Sequence, residues 1–299
     1  MDYSTFLKHK PEVKAFFHDQ TNTITYVVAD PKARECVVID SVLDYDQPSG
    51  TISHESADEV LHYIQGKGYK VAWILETHVH ADHLTAAAYL RDTLGGKVAI
   101  GKHIQDVQTI FTKAFNDNDT ACDGSQFDML WNDGDTFTVG GLPAVVIHAP
   151  GHTPADVVYV IGDAAFAGDT MFMPDFGTAR CDFPGGSAET LYASAHKLFA
   201  LPESMRMFMC HDYLPDGRDT YTWETTIGEQ KKGNIQLNEN VEKEAFVEFR
   251  TSQDKGLGMP RLIIPSLQVN IRAGRLPNPE DNNVVYLKTP INSVFSKDE

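Results

Sequence analysis

Apolar and polar residues alternate along residues 13–17, 23–28 and 35–39, and Asp19, Asn22, Asp30 and Pro31 punctuate the gaps between these runs. A period of two broken by turn formers predicts a β-meander. The period then changes. Val60, Leu61 and Ile64 share one face of a helix over residues 56–66, Ser56 and Asp58 mark its start, and an apolar strand follows at 71–75. The same helix-to-strand alternation recurs at 84–94 and 97–101. After an acidic, turn-rich stretch at 116–128, strands are predicted at 136–139, 142–148, 156–161 and 164–167, then a helix over 188–201 and a short strand over 205–209. Two blocks of strands with helices between them predict an α/β (α+β) domain, in which two mixed sheets face each other and helices cover the outside. No internal repeat interrupts this pattern.

From about residue 217 the texture changes to charged helical segments at 222–232 and 241–252, followed by a Pro-punctuated run at 259–277. About 80 residues of this kind make a marginal core by themselves. The expected organisation is therefore a catalytic domain at 1–216 and a C-terminal helical and extended extension, 217–299, packed on it. The apolar run at 259–276 is an expected dimer surface, which makes a homodimer or higher homo-oligomer the expected assembly.

Composition narrows the function classes. With 25 Lys and Arg against 42 Asp and Glu, the formal charge is −17, and a nucleic-acid partner, which needs a basic footprint, is not expected. An acidic surface repels anions at long range, so any anion-binding site has to be made locally by a few Arg or Lys side chains. No apolar run approaches the roughly 20 residues needed to cross a bilayer, and residues 1–13 have neither the apolar stretch of a secretory signal nor an Arg-rich transit pattern. A cytoplasmic, membrane-independent protein is expected. Cys36, Cys122, Cys181 and Cys210 are widely spaced and form no CxxC pair, so reduced thiols are expected rather than a thiolate zinc site or a disulfide framework.

The densest chemistry lies at Thr77-His78-Val79-His80-Ala81-Asp82-His83, directly after a predicted strand. Three imidazoles and a carboxylate so close together suit Zn, Fe, Mn or Ni. The plain alternative is a surface histidine cluster or a cap on the helix that begins nearby. Pro150-Gly151-His152-Thr153, Gly168-Asp169-Thr170 and Cys210-His211-Asp212-Tyr213 sit where later predicted strands end, the positions from which a rigid sheet presents side chains to a shared cleft. His148 is read as structural.

Taken together, HxHxDH, PGHT, GD and a late His resemble the metallo-β-lactamase superfamily over roughly residues 16–213. The resemblance implies an αβ/βα sandwich with metal at one edge of the paired sheets, and all seven metal-site positions are filled: His78, His80, Asp82, His83, His152, Asp169 and His211. Two branches compete. In one, resembling glyoxalase II, two Zn, Fe or Mn ions hydrolyse glutathione thioesters. His78, His80 and His152 would hold one ion, Asp82, His83 and His211 the other, and Asp169 would bridge them. In the other, resembling the persulfide (sulfur) dioxygenases, one Fe(II) per chain uses only His78, His152 and Asp169, leaving positions for substrate and O2.

The second branch is favoured by the segment Arg180-Cys181-Asp182-Phe183, which looks like the RxDF of persulfide dioxygenases, and by His211-Asp212-Tyr213, which matches their HDY. The particular likeness is to a bacterial subgroup described as β-lactamase-like hydrolases and linked to sulfide detoxification, which the region from Pro260-Arg261-Leu262 to Arg275-Leu276-Pro277 also resembles. Met209-Cys210 departs from the Pro-Ala that commonly precedes HDY. The resemblance implies glutathione persulfide and O2 as substrates, sulfite and glutathione as products, and supporting roles around the metal for His80, Asp82, His83 and His211. Arg180 is the expected partner of a glutathione carboxylate, Asp182 of Arg180 or the substrate amine, and Tyr213 of the reacting sulfur or oxygen. Each has a bland counterpart, an Arg180–Asp182 ion pair and a packed Tyr213. Lys231 is a further candidate for the substrate carboxylate against a solvated helix face, and Arg261, Arg272 and Arg275 are candidates for contact with a neighbouring subunit.

Overall fold

The structure, a computed structural model, describes residues 2–292. The meander forms as β1 (Glu12–His18), β2 (Thr23–Asp30) and β3 (Glu35–Ile39), followed by two short strands, β4 (Val42–Asp46) and β5 (Thr51–Ser53). Next come α1 (Glu55–Lys67), β6 (Lys70–Leu75), β7 (Leu84–Thr85), α2 (Ala87–Leu94), β8 (Lys97–Gly101), α3 (Ile104–Ala114) and β9 (Met129–Trp131). The second block runs β10 (Thr136–Val139), β11 (Leu142–His148), β12 (Val157–Ile161), β13 (Ala164–Phe166), α4 (Ala188–Phe199) and β14 (Arg206–Phe208). The chain continues through β15 (Glu224–Thr226), α5 (Ile227–Gly233), α6 (Lys243–Lys255) and α7 (Ile263–Asn270).

One six-stranded sheet has the order β1-β2-β3-β6-β8-β9, the other β10-β11-β12-β13-β14-β15, and β5-β4-β7 form a small third sheet. Period-two alternation decides which way each strand faces. In β2, Ile24, Tyr26 and Val28 join β11 residues Leu142, Ala144 and Val146 in the core between the sheets. Val27 and Ala29 point the other way, under α1, α2, α3 and α7, while Val145 and Ile147 of β11 face the layer built by α4, α5 and α6. The result is the expected αβ/βα sandwich.

Two expectations need correction. Residues 84–94 are not one helix, because Leu84 and Thr85 pair with Leu43 and Val42 before α2 begins. Residues 222–232 likewise divide into β15 and α5, where Thr226 and Glu229 close a capping box at the strand-to-helix junction. β15 pairs with β14 at the edge of the second sheet. In the run at 259–276, Leu262, Ile263, Leu267, Val269 and Ile271 are buried within the chain. Arg272 and Arg275 pair internally, with Asp117 and Asp92. Among the described residues no helix is long and apolar enough to cross a membrane.

Candidate metal centre and its cavity

Topology gathers the polar residues at one edge. β11 and β13 both run antiparallel to β12, and β14 runs parallel to β13, so all three end on the same side. His152, Asp169 and His211 follow these ends, and the loop His78 to His83 follows β6 of the facing sheet. Two glycines make the approach possible. Gly168, at φ +52°, would place a Cβ 2.7 Å from Thr77 Oγ1, and Gly151, at φ +150°, would place one 2.4 Å from Leu191 Cα. A side chain at either position meets both strain and a clash, which is the physical content of the Gly-Asp and Pro-Gly-His motifs.

Ligand atoms of His78, His152 and Asp169 all lie within 4.8 Å of one another, as do those of His80, Asp82 and His83. Within the first group, Asp169 Oδ2 lies 3.9 Å from His78 Nε2 and 3.6 Å from His152 Nε2; its Oδ1 lies 3.3 Å from His211 Nε2, which is itself 3.7 Å from Asp82 Oδ2.

Each imidazole has one nitrogen committed to a hydrogen-bond partner, outside the cluster for all but His83. His78 Nδ1 is 3.0 Å from Thr77 Oγ1, whose proton goes to Asp40 Oδ2 at 2.8 Å. His80 Nε2 is 3.0 Å from Asp40 Oδ1, His152 Nδ1 donates to the Arg180 carbonyl at 2.8 Å, and His211 Nδ1 faces the Asn22 carbonyl at 3.2 Å. His83 Nδ1 faces Asp82 Oδ2 at 3.2 Å. Anchoring one nitrogen fixes the tautomer and aims the other lone pair at a shared point. His78 Nε2, His80 Nδ1, His83 Nε2 and Asp169 Oδ1 are buried there without a hydrogen-bond partner. Four such atoms in one place are costly unless a cation satisfies them, so the residues fit a metal.

Protonation agrees. Burial, reinforced by the neighbouring imidazoles, holds His78 and His80 well below the ordinary imidazole value, which leaves their lone pairs free. Burial opposes ionisation of Asp82, yet His211 and His83 pull its carboxyl well below the usual range.

Over the cluster opens a cavity of about 520 Å³, within the size range of small-ligand sites. Asp169, His152 and Asp82 lie at its base, and Phe172, Phe176, Phe183 and Tyr213 form apolar wall. Desolvation first, then Asp169 and Asp82, raises the Tyr213 phenol well above its ordinary value, so it remains a protonated donor. Arg180 also lines the cavity, but its Nε and Nη2 donate to Asp182 at 2.6 and 2.8 Å, its Nη1 donates to the Gly258 carbonyl at 2.6 Å, and its guanidinium lies over the Phe183 ring. Asp182 is thus paired with Arg180 and does not line the cavity. Lys231 is remote from it as well, held by Glu203 and Glu239.

Three residues of the site were not singled out by sequence reasoning. Asp40 occupies the left-handed region at φ +52° directly after β3, and the strand-end rule that found His152 applies to it equally. Thr77 stood inside the first motif. Asn270 of α7 donates to the carbonyls of His80 and His83, each at 2.8 Å, and accepts from Thr85 N at 2.8 Å; nothing local in the sequence marks it.

The model of the metallo-beta-lactamase superfamily matches residues 19–211. The chain belongs to this superfamily. A probable metallo-hydrolase of Burkholderia pseudomallei is 49% identical over 293 residues, covering 94% of this chain and 99% of that protein. Glyoxylase B2 of Dictyostelium discoideum is 46% identical, covering 96% and 99%. Persulfide dioxygenase ETHE1 of Bos taurus is 30% identical, covering 88% of both chains. The chain spans 65% of the length of beta-lactamase hydrolase-like proteins from Xylella fastidiosa and Agrobacterium fabrum. Among solved structures, ETHE1 from Myxococcus xanthus superposes with a TM-score of 0.70 at 28% identity, covering 88% of this chain and 100% of that one. The chain is an enzyme of the metallo-beta-lactamase superfamily with a metal-binding cluster, and its likeness extends to the persulfide dioxygenases.

Proposed function

We propose that the enzyme is a cytoplasmic Fe(II) persulfide dioxygenase, with one iron per chain, that oxidises glutathione persulfide to sulfite and glutathione and so detoxifies sulfide. The observation that carries this reading is the attachment of the RxDF-like segment to the cluster. The Arg180 carbonyl accepts the proton of His152 Nδ1, and Phe183 packs edge-on against the His152 ring at 5.1 Å. The residues that resemble the dioxygenases thus orient a metal ligand.

His78, His152 and Asp169 would hold the iron, and a ferrous ion so held supplies redox chemistry and vacant positions for sulfur and O2. The chain does the rest. Thr77 and the Arg180 carbonyl fix the imidazole tautomers, Phe172, Phe176 and Phe183 limit water around the sulfur, and the Tyr213 hydroxyl, protonated and without a hydrogen-bond partner among the described residues, donates toward the bound substrate. Glutathione persulfide, O2 and one water give glutathione and sulfurous acid. Both atoms of O2 end on the terminal sulfur, which is oxidised; water then cleaves the S–S bond, its hydroxyl joining that sulfur and its proton the glutathione thiolate.

One observation favours a second reading, a glyoxalase II-like binuclear hydrolase. The two oxygens of Asp169 face different histidines, and His80, Asp82 and His83 form a second ligand group beside the first. Elemental analysis of anaerobically purified protein with an oxygen-electrode assay separates the two. About one iron per chain with O2 uptake on glutathione persulfide supports the dioxygenase. Two metals per chain, no O2 uptake and cleavage of a glutathione thioester would overturn it.

A further inference from the structure

Three guanidinium groups line the cavity, and their bonding differs sharply. Arg180 is neutralised by Asp182, and Arg250, itself buried, is held by Asp254 Oδ1 at 2.7 Å and by the Thr178 carbonyl and Gln236. Arg261 is exposed on the loop before α7, lines the same cavity, and makes no hydrogen bond or ion pair with any described residue. That loop is not left to itself. Arg180 Nη1 grips the carbonyl of Gly258, a few residues before Arg261, at 2.6 Å, so the Arg180–Asp182 pair braces the segment that carries the unpaired cation. Arg180, expected to take the substrate carboxylate, has its donors engaged by Asp182 and Gly258, whereas Arg261 is available.

We propose that Arg261 is the anion anchor of this cavity, gripping a carboxylate of a small peptide-like thiol whose sulfur end reaches the histidine cluster. The inference rests on the reading of the enzyme as one that acts on a glutathione-type substrate. On a chain with formal charge −17, an anion arriving from solvent gains nothing from the long-range field, which is screened beyond about 8 Å at physiological salt. A local guanidinium with all five donors uncommitted is then what discriminates a carboxylated thiol from a neutral one. Gln20 and Gln253 line the same cavity, and their amides are suited to the peptide groups of such a ligand.

The test uses the metal-loaded protein and S-methylglutathione, which keeps both carboxylates but carries no oxidisable persulfide, beside its dimethyl ester. Isothermal titration is expected to show that wild type prefers the acid, that Arg261→Met weakens binding of the acid by about tenfold or more while leaving the ester unchanged, and that Arg261→Lys recovers part of the loss. Equal affinity of Arg261→Met and wild type for the acid overturns the assignment, as does a wild type that binds the acid no better than the ester. Binding is read without turnover, so the two conclusions fail separately. A wild type that takes up no oxygen with glutathione persulfide yet keeps the Arg261-dependent preference removes the dioxygenase and keeps the anchor. Oxygen uptake with an unchanged KM in Arg261→Met does the reverse.

Discussion

Asn270→Ala probes whether the C-terminal helix is part of the metal centre's scaffold. Asn270 Nδ2 donates to the carbonyls of His80 and His83, and its Oδ1 accepts from Thr85 N, each at 2.8 Å and all buried. Removing the amide strands two acceptors and one donor. Each stranded group costs about 1–3 kcal/mol, so the low end is about 3 kcal/mol, against a total stability of about 5–15 kcal/mol for a typical domain. At about 2 °C per kcal/mol for a chain of this size, the midpoint should fall by about 6 °C or more. The two carbonyls belong to cluster histidines, so metal affinity should fall too, by about tenfold in competition with a chelator. Gln268→Ala is the control. Gln268 sits on the same helix and bonds the Ile264 and Lys288 carbonyls and Lys288 N, away from the cluster. It should lower the melting point without moving metal affinity. If Asn270→Ala melts within about 1 °C of wild type, or loses stability like Gln268→Ala while holding metal as tightly as wild type, the clamp is not what orders the loop.

Further outcomes are open to measurement. Asp169→Ala should abolish both metal retention and activity, since Asp169 faces His78, His152 and His211 at once; a variant that still copurifies with stoichiometric metal contradicts its central place. Thr77→Val keeps shape but removes the hydroxyl linking His78 to Asp40, and should cost about 10–100-fold in metal affinity by chelator competition, with little change in KM. Burial would raise the Asp44 carboxyl, but hydrogen bonds from His18 and Ser56 outweigh it and bring it down to about 2, from 3.8. A depressed carboxylate contributes stability above its unfolded value that is lost as pH falls, here between about 4 and 2. Asp44→Asn should flatten that limb of the acid-unfolding curve, and an unchanged limb would refute the assignment.

What was legible in the sequence follows from range. Strands β2, β3 and β11 are short, mostly apolar runs buried on both faces and bounded by turn formers, so their neighbours in sequence sufficed to find them. β7 did not stand out because Leu84 and Thr85 also fit the helical phase of α2, and only pairing with β4 decides between the two. Thr222 to Lys232 misled in the same way, since β15 exists only because β14 offers it an edge. α3 has Ile104, Val107 and Phe111 spaced for a helix face, but the turn-rich stretch at 116–128 obscures where it ends. The ligand histidines declared themselves through short motifs, whereas their anchors Asp40 and Asn270 come from segments far along the chain. Arg180 illustrates the limit best. Its charge and position are readable, but whether its donors are free depends on Asp182 and Gly258, and the latter contact spans the chain.

The two ends of one C-terminal segment carry separable duties. Asn270 is buried on α7 and holds the backbone of the histidine loop, a contact that tolerates little change because three backbone groups depend on it. Arg261 stands exposed on the preceding loop, lines the cavity and makes no hydrogen bond or ion pair with any described residue. Between them, the apolar residues of α7 pack against β7 and α3, which separates the exposed loop from the metal ligands. The cluster is carried by rigid strand ends, while the cavity over it is walled by loops at 20–22, 172–183 and 257–261 and by Arg250 and Gln253 of α6. Exchanging the residues around 257–261 should redirect substrate preference while metal content and melting temperature stay near those of the parent chain.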